Sequence, residues 1–191
     1  LRRYASLTAH GMQYFRRESP NHLSSLADLR RYCYFVAGVV GEMLTSIFAE
    51  RNEGLSITPT VRSEARAFGE GLQLVNILKD DLADARRGRS FIPAGVDRGT
   101  LYRLVRRDLL SGQFYMERLH RVGASSGYLA FTQLPLQLAW ATLERIEQHG
   151  AGAKVSRSQL SRILSEVQLS LPDVPVEVRE QRPPELGVAT P

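Results

Sequence analysis

The chain has 191 residues, 43% hydrophobic and 24% charged, the composition of an ordinary globular domain that buries about two thirds of its unfolded surface. Its formal charge of +5 rests on arginine, since Lys79 and Lys154 are the only lysines, and arginine suits phosphate-bearing ligands. The arginines are spread along amphipathic stretches instead of forming one block, which argues against nucleic acid, and the single cysteine, Cys33, excludes an internal disulfide and fits a cytoplasmic setting.

Hydrophobic periodicity predicts helices throughout and no alternating strand, so the fold class is all-α. A first helix over 4–17 ends near "SPN". A second over 23–49 carries a line of small residues, Ala37, Gly38, Gly41 and Thr45, along which another helix can approach closely. Its most apolar run, "YCYFVAGVVGEMLTSIF", contains Glu42 and suits a buried helix better than a membrane span. A third helix over 61–85 stops at the Gly- and Pro-rich "RRGRSFIPAGVDRG".

A fourth helix is expected over 100–122, broken near Gly112, and a fifth over 128–149, with Pro135 kinking it or marking a functional wall. Ser156 and Gln159 form a capping-box pattern that starts a sixth helix over 158–171. Residues 172–191 have the Pro-rich, polar composition of a disordered tail, leaving one helical domain over 1–171.

The third helix carries the chemistry. At 100° per residue, Gln73, Asn76, Ile77, Asp80 and Asp84 share one face, and Phe68, Leu74, Val75, Leu78 and Leu82 the other. Two readings are open. A polar stripe is what a surface helix shows to water. Yet amides and aspartates are poor helix formers, and carboxylates four residues apart repel, so a cation would offset their cost. Asp80 and Asp84 could each bind Mg2+ or share one ion, with phosphate oxygens and water completing the octahedron.

The stretch "YCYFVAGVVGEML", then "LQLVNILKDDLADARRGRSFIP", then "FTQLPLQLAWATLERI" and "AKVSR", resembles in order and spacing the squalene/phytoene synthase family of head-to-head prenyl synthases. The resemblance covers 11–171. It implies an isoprenoid-synthase-type helical bundle in which two prenyl diphosphates lose diphosphate with the help of Mg2+ and join through a cyclopropyl intermediate. Carried onto this sequence, it implies that Asp80 and Asp84 hold metal and that Asn76 and Gln73 contact metal or diphosphate. Lys79 stands where the family often has arginine, and Arg89 matches a basic residue after the motif. Tyr32 matches a cavity tyrosine with a role in ionisation and rearrangement, and Phe131 an aromatic near the reacting carbons. Val36, Val39, Val40, Leu134, Leu138 and Trp140 are candidates for the cavity wall.

The family's pattern has a second aspartate-rich motif, but Asp80 and Asp84 are the only aspartates spaced i, i+4. The N-terminal helices that would carry the other motif, or another chain, are therefore expected to complete the cage, and residues 1–191 alone are expected to be inactive. The favoured reaction is farnesyl diphosphate to presqualene diphosphate and squalene or a related product. The alternatives are a phytoene synthase acting on geranylgeranyl diphosphate and a non-catalytic relative serving assembly or lipid binding. Quenching of the final cation is open among hydride from NADPH, proton loss and water, with Lys154 and Arg157 candidates for the phosphate of NADPH. Contact with membranes is expected to be peripheral.

Overall fold

The computed structural model describes residues 1–18 and 22–169, and all of its regular structure is helical. The helices are α1 (Arg2–Glu18), α2 (Leu26–Cys33), α3 (Val39–Arg51), α4 (Pro59–Arg86), α5 (Arg98–Arg121), α6 (Ser126–His149) and α7 (Arg157–Leu169). The expected tail and the end of the sixth helix lie outside the described residues.

Local chemistry sets the boundaries. Pro59 occupies the first turn of α4, where its missing N–H costs nothing, and Thr58 accepts from the Val61 amide. Asp97 and Ser125 cap α5 and α6 in the same way. The side chain of Ser156 accepts from the amide of Gln159, which delivers the expected start of α7. Gly88, at φ 69°, ends α4 and turns the chain so that the Arg89 amide donates to the Asp84 carbonyl at 2.9 Å.

Two expectations about continuity change. The helix expected over 23–49 is interrupted by a π-helical turn, Tyr34–Gly38, between α2 and α3. A π turn closes with i→i+5 bonds and so rotates the faces of α3 relative to those of α2. The break expected near Gly112 is absent: α5 runs through it, and Gly112 instead seats the Phe68 ring, 2.6 Å from where a Cβ would stand.

The core forms around α4, whose 28 residues span about 42 Å. The π turn and α3 cross α4 at near-backbone distance: a Cβ on Gly41 would lie 2.1 Å from the Ala65 carbonyl oxygen, and one on Gly69 2.3 Å from that of Ala37. The small-residue line is thus a helix-packing groove. Because Ala37 faces Gly69 and Gly41 faces Ala65, the two elements run antiparallel. Helix α5 also runs antiparallel to α4, with Asp108 beside Gly71 and Gly112 beside Phe68. Helix α6 covers α4 and α5, and α7 packs on α6 through Ile163 and Val167.

Candidate functional site

These packing directions leave an apolar trough of about 350 Å3 between the π turn and α3 on one side, α4 below, and α5 and α6 on the other. Val36 and Val40 line it as expected, with Leu44, Phe48, Phe68 and Tyr115. The other expected wall residues do not. Val39 is turned into the core, and Trp140 borders a separate cleft between α6 and α7. Leu134 and Leu138 are also missing from the lining, where α6 instead contributes Phe131, Thr132 and Pro135. Pro135 therefore stands at the wall, inside an unbroken α6.

The trough has two unlike ends. From the antiparallel register, Asn76 marks one and Phe48 the other. Gln73 and Asn76 line the first end. One and two turns further along α4 stand Asp80 and Asp84, beyond the trough's rim, with the Asp80 side chain 52% exposed. The Lys79 ammonium lies 3.4 Å from Asp80, while the neighbouring Asp81 is engaged by Arg98 at 2.5 Å. Asp80, exposed, and Asp84, half-buried, form a carboxylate pair one turn apart, with a donor set that fits a hard divalent cation keeping several water or phosphate ligands. Among the described residues, no cluster of three or more His, Cys, Asp or Glu forms a complete metal cage.

Three face assignments are corrected here. Ile77, expected in the polar stripe, is buried, and Leu82, expected in the core, is 52% exposed. Burial at these positions follows the packing neighbours and not the helical period. Phe68, expected opposite the stripe, lines the trough together with Gln73.

Tyr32, on α2, is absent from the trough lining and borders a second cleft with Phe15, Arg16, Arg89 and Phe91. Its ring is 5.0 Å from that of Phe91 and edge-on to Phe15. The loop bearing Arg89 and Phe91 is held there by a single parallel bridge, His22 to Ser90, with the Leu23 amide donating to the Ser90 carbonyl. Burial, then the charges of Cys33 and Asp84, push the Tyr32 phenol above its ordinary value, with Arg89 opposing them. Tyr32, Asp84 and Arg89 thus share one electrostatic neighbourhood.

Phe131 is elsewhere. It sits at the Phe48 end, edge-on to the Phe48 ring at 6.4 Å, with Tyr128 stacked on that ring at 4.1 Å. The loop before Lys154 reaches α4, where the Gly152 amide donates to the Lys79 carbonyl at 2.8 Å, but Arg157 opens α7, which packs on α6.

Sequence reasoning missed a buried charge cluster. Arg30 of α2 bridges Glu70 of α4 and Asp108 of α5, both carboxylates almost fully buried, and Arg107 adds a contact to Asp108 at 3.1 Å. Burial pushes the Glu70 carboxyl above its usual range against the pull of Arg30, with Asp108 adding to the push. The cluster ties together three helices directly beneath the π turn. Its one sequence signal is a glutamate held between Gly69 and Gly71 in an otherwise apolar stretch.

Comparison with known proteins gives the family and agrees with the fold. The squalene/phytoene synthase family model matches residues 7–125. Phytoene synthase 1 of Zea mays is 33% identical over 61% of this chain and 31% of its own length, and phytoene synthase of Arthrospira platensis 36% identical over 50% and 32%. In fold, the chain matches the squalene synthase TcSQS solved in a ligand complex, at a TM-score of 0.69 and 23% identity, over 86% of this chain and 54% of that one. It matches squalene synthase HpnC from Alicyclobacillus acidocaldarius at 0.57 and 18%, over 78% and 60%. The chain therefore spans about a third or less of the curated relatives it matches. With its all-helical bundle and a family match over more than half its length, the chain belongs to the squalene/phytoene synthase family.

Proposed function

We propose that this chain supplies one wall and one metal-binding edge of a head-to-head prenyl synthase, with the trough taking the hydrocarbon tail of a prenyl diphosphate. The observation that carries the reading is the succession along α4: Gln73 and Asn76 line the trough, and Asp80 and Asp84 follow one and two turns beyond its rim. An amphiphile with an anionic head matches that succession of surfaces. Complete burial of a farnesyl tail would contribute at most about 12 kcal/mol, at roughly 0.8 kcal/mol per carbon.

Mg2+ held by Asp80 and Asp84 would neutralise the departing diphosphate as a Lewis acid. The chain's own residues do the rest. Asn76 and Gln73 orient the head group, Lys79 and Arg89 add positive charge near it, and Tyr32, beside Asp84 and Arg89, borders the ionising end. The trough wall offers the allylic cation no strong nucleophile. Cys33, the only thiol, is fully buried outside the lining, and burial, followed by the Glu70 charge, suppresses its ionisation. Phe131, placed beside Phe48, serves the tail and not the reacting carbons in this arrangement. Farnesyl diphosphate is the first reading of the substrate. Geranylgeranyl diphosphate is the second, favoured by the phytoene synthases among the relatives.

Peripheral membrane contact goes with a hydrocarbon product. The segment Leu26–Arg51 is long and apolar enough to cross a membrane, but here it is built into the bundle, with Glu42 facing Arg62 and Arg66.

The test is turnover of labelled farnesyl and geranylgeranyl diphosphates by the protein expressed from its complete coding sequence. Magnesium-dependent formation of a coupled product, lost in Asp80→Ala and Asp84→Ala with helicity unchanged, is expected. Full activity in both variants would contradict the reading.

A further inference from the structure

Helix α5 buries one side in the bundle and turns the other outward. Its buried residues, among them Leu101, Val105, Leu109, Gly112 and Leu119, fall within a narrow arc at 100° per residue. Opposite that arc stand Leu110 and Phe114, 45% and 55% exposed and one helical turn apart, neither of them in the trough lining. A single exposed apolar residue needs no explanation, but a leucine and a phenylalanine adjacent on one face form a patch.

The charges around the patch are mostly of one sign. Arg103, Arg106, Arg107 and Arg121 share this face, all exposed, with Glu117 as its one acid among the described residues. Arg106 is spent on Glu147 of α6, at 2.6 Å. The other three remain for an outside partner. Arg103 donates to the Thr100 hydroxyl at 2.8 Å, and Arg107, its side chain 66% exposed, shares the buried Asp108 carboxylate with Arg30. Arg121 borders a cleft of about 500 Å3 whose lining includes Met116 and Leu129. Arg103 and Arg121 lie about 27 Å apart along the axis at 1.5 Å per residue, and Leu110 and Phe114 fall midway between them.

This layout fits a lipid surface better than a protein one. Two apolar side chains cover far less than the roughly 800 Å2 per partner of a stable protein interface. They are enough to enter the boundary between headgroups and acyl chains, where arginines keep their guanidinium groups in the phosphate layer while the apolar residues go deeper. Anionic lipid supplies the complementary charge along the whole face.

Resting on the peripheral membrane contact proposed above, we infer that the outward face of α5 is the docking surface for an anionic membrane, with Leu110 and Phe114 entering the lipid and Arg103, Arg107 and Arg121 holding phosphate headgroups. The same helix contributes Tyr115 to the trough, so docking here holds the hydrocarbon site close to the lipid.

The test is flotation of the complete protein with vesicles of phosphatidylcholine, alone or mixed with phosphatidylglycerol. Wild type is expected to float with the mixed vesicles and to be released as salt is raised. Phe114→Ser and Leu110→Ser should each weaken binding about tenfold. Arg103→Gln and Arg121→Gln should each weaken it about fivefold. The control is an equally spaced exposed pair on α7, Leu160 and Leu164, whose joint replacement by serine should leave binding unchanged. Phe114→Trp keeps the face apolar and gives a readout that needs no loss of binding. Brominated acyl chains should quench it beyond the level of Trp140, which sits in the cleft between α6 and α7. Equal flotation of wild type and the α5 variants, or as large a loss from the α7 pair, overturns this face and leaves peripheral contact standing. Absence of binding to every vesicle overturns both, without touching the trough. Self-association that Phe114→Ser disperses, with no flotation, assigns the face to a second copy and overturns the lipid reading.

Discussion

Along one helix, the two ends of the trough are built in opposite ways. Around Ala65 and Phe68, α4 is in backbone contact with α3, and side-chain hydroxyls there are paired and buried. Two to five turns later, Asn76 and Asp80 are exposed and Asp84 is half-buried. The first end behaves as a mould and the second as a hydrated docking edge. Substitutions at the two ends should therefore separate stability from ligand binding.

The largest stability effect is expected at the buried cluster where Arg30 joins α2 to α4 and α5. Arg30→Met leaves Glu70 and Asp108 buried without their shared cation, and a loss of about 3–5 kcal/mol in denaturant unfolding is expected. Gly41→Ala forces a methyl against the Ala65 carbonyl and should cost about 1–3 kcal/mol by the same measurement. At the hydroxyl pair the two partners should differ, because the one Thr45 hydroxyl proton goes to the Gly41 carbonyl and Tyr115 therefore donates to Thr45. Thr45→Val strands the buried Tyr115 donor, at about 1–3 kcal/mol, whereas Tyr115→Phe leaves Thr45 bonded to Gly41 and should cost only about 1 kcal/mol. Equal losses would refute the assigned direction of the bond.

Glu70 adds a pH-dependent effect. Its carboxyl titrates above its unfolded value of 4.5, so the folded state holds this proton more tightly. The associated stability is present below pH 4.5 and is lost as pH rises through the folded value. Melting curves should therefore show wild type losing more stability than Glu70→Gln as pH is raised from 4.5. The smallest stability effects belong to the docking edge, where Asp80→Ala and Asp84→Ala should change unfolding by less than about 0.5 kcal/mol.

The same contrast explains what could be read from the sequence. The helices, the Ser156 cap and the Ala37–Thr45 packing line follow from local composition and period, and the carboxylate pair from spacing alone. The π turn was hidden because nothing in "YFVAG" distinguishes i→i+5 from i→i+4 bonding. Arg30, Glu70 and Asp108 lie on three different helices, and only packing brings them together, so no local pattern announces the cluster. Ile77 and Leu82 exchange places for the related reason that burial depends on which helices pack against α4 and not on its period alone. Phe131 stands beside Phe48 through the approach of α6 to α3, a tertiary relation that no helical period contains.

The measurement closest to the central claim is a magnesium titration of farnesyl thiodiphosphate binding by the complete protein, compared among wild type, Asp80→Asn and Asp84→Asn. If the acidic edge of α4 grips the head group through the metal, wild-type affinity rises with magnesium, and each amide variant loses that rise while keeping its helicity. Identical magnesium dependence in all three proteins would contradict it.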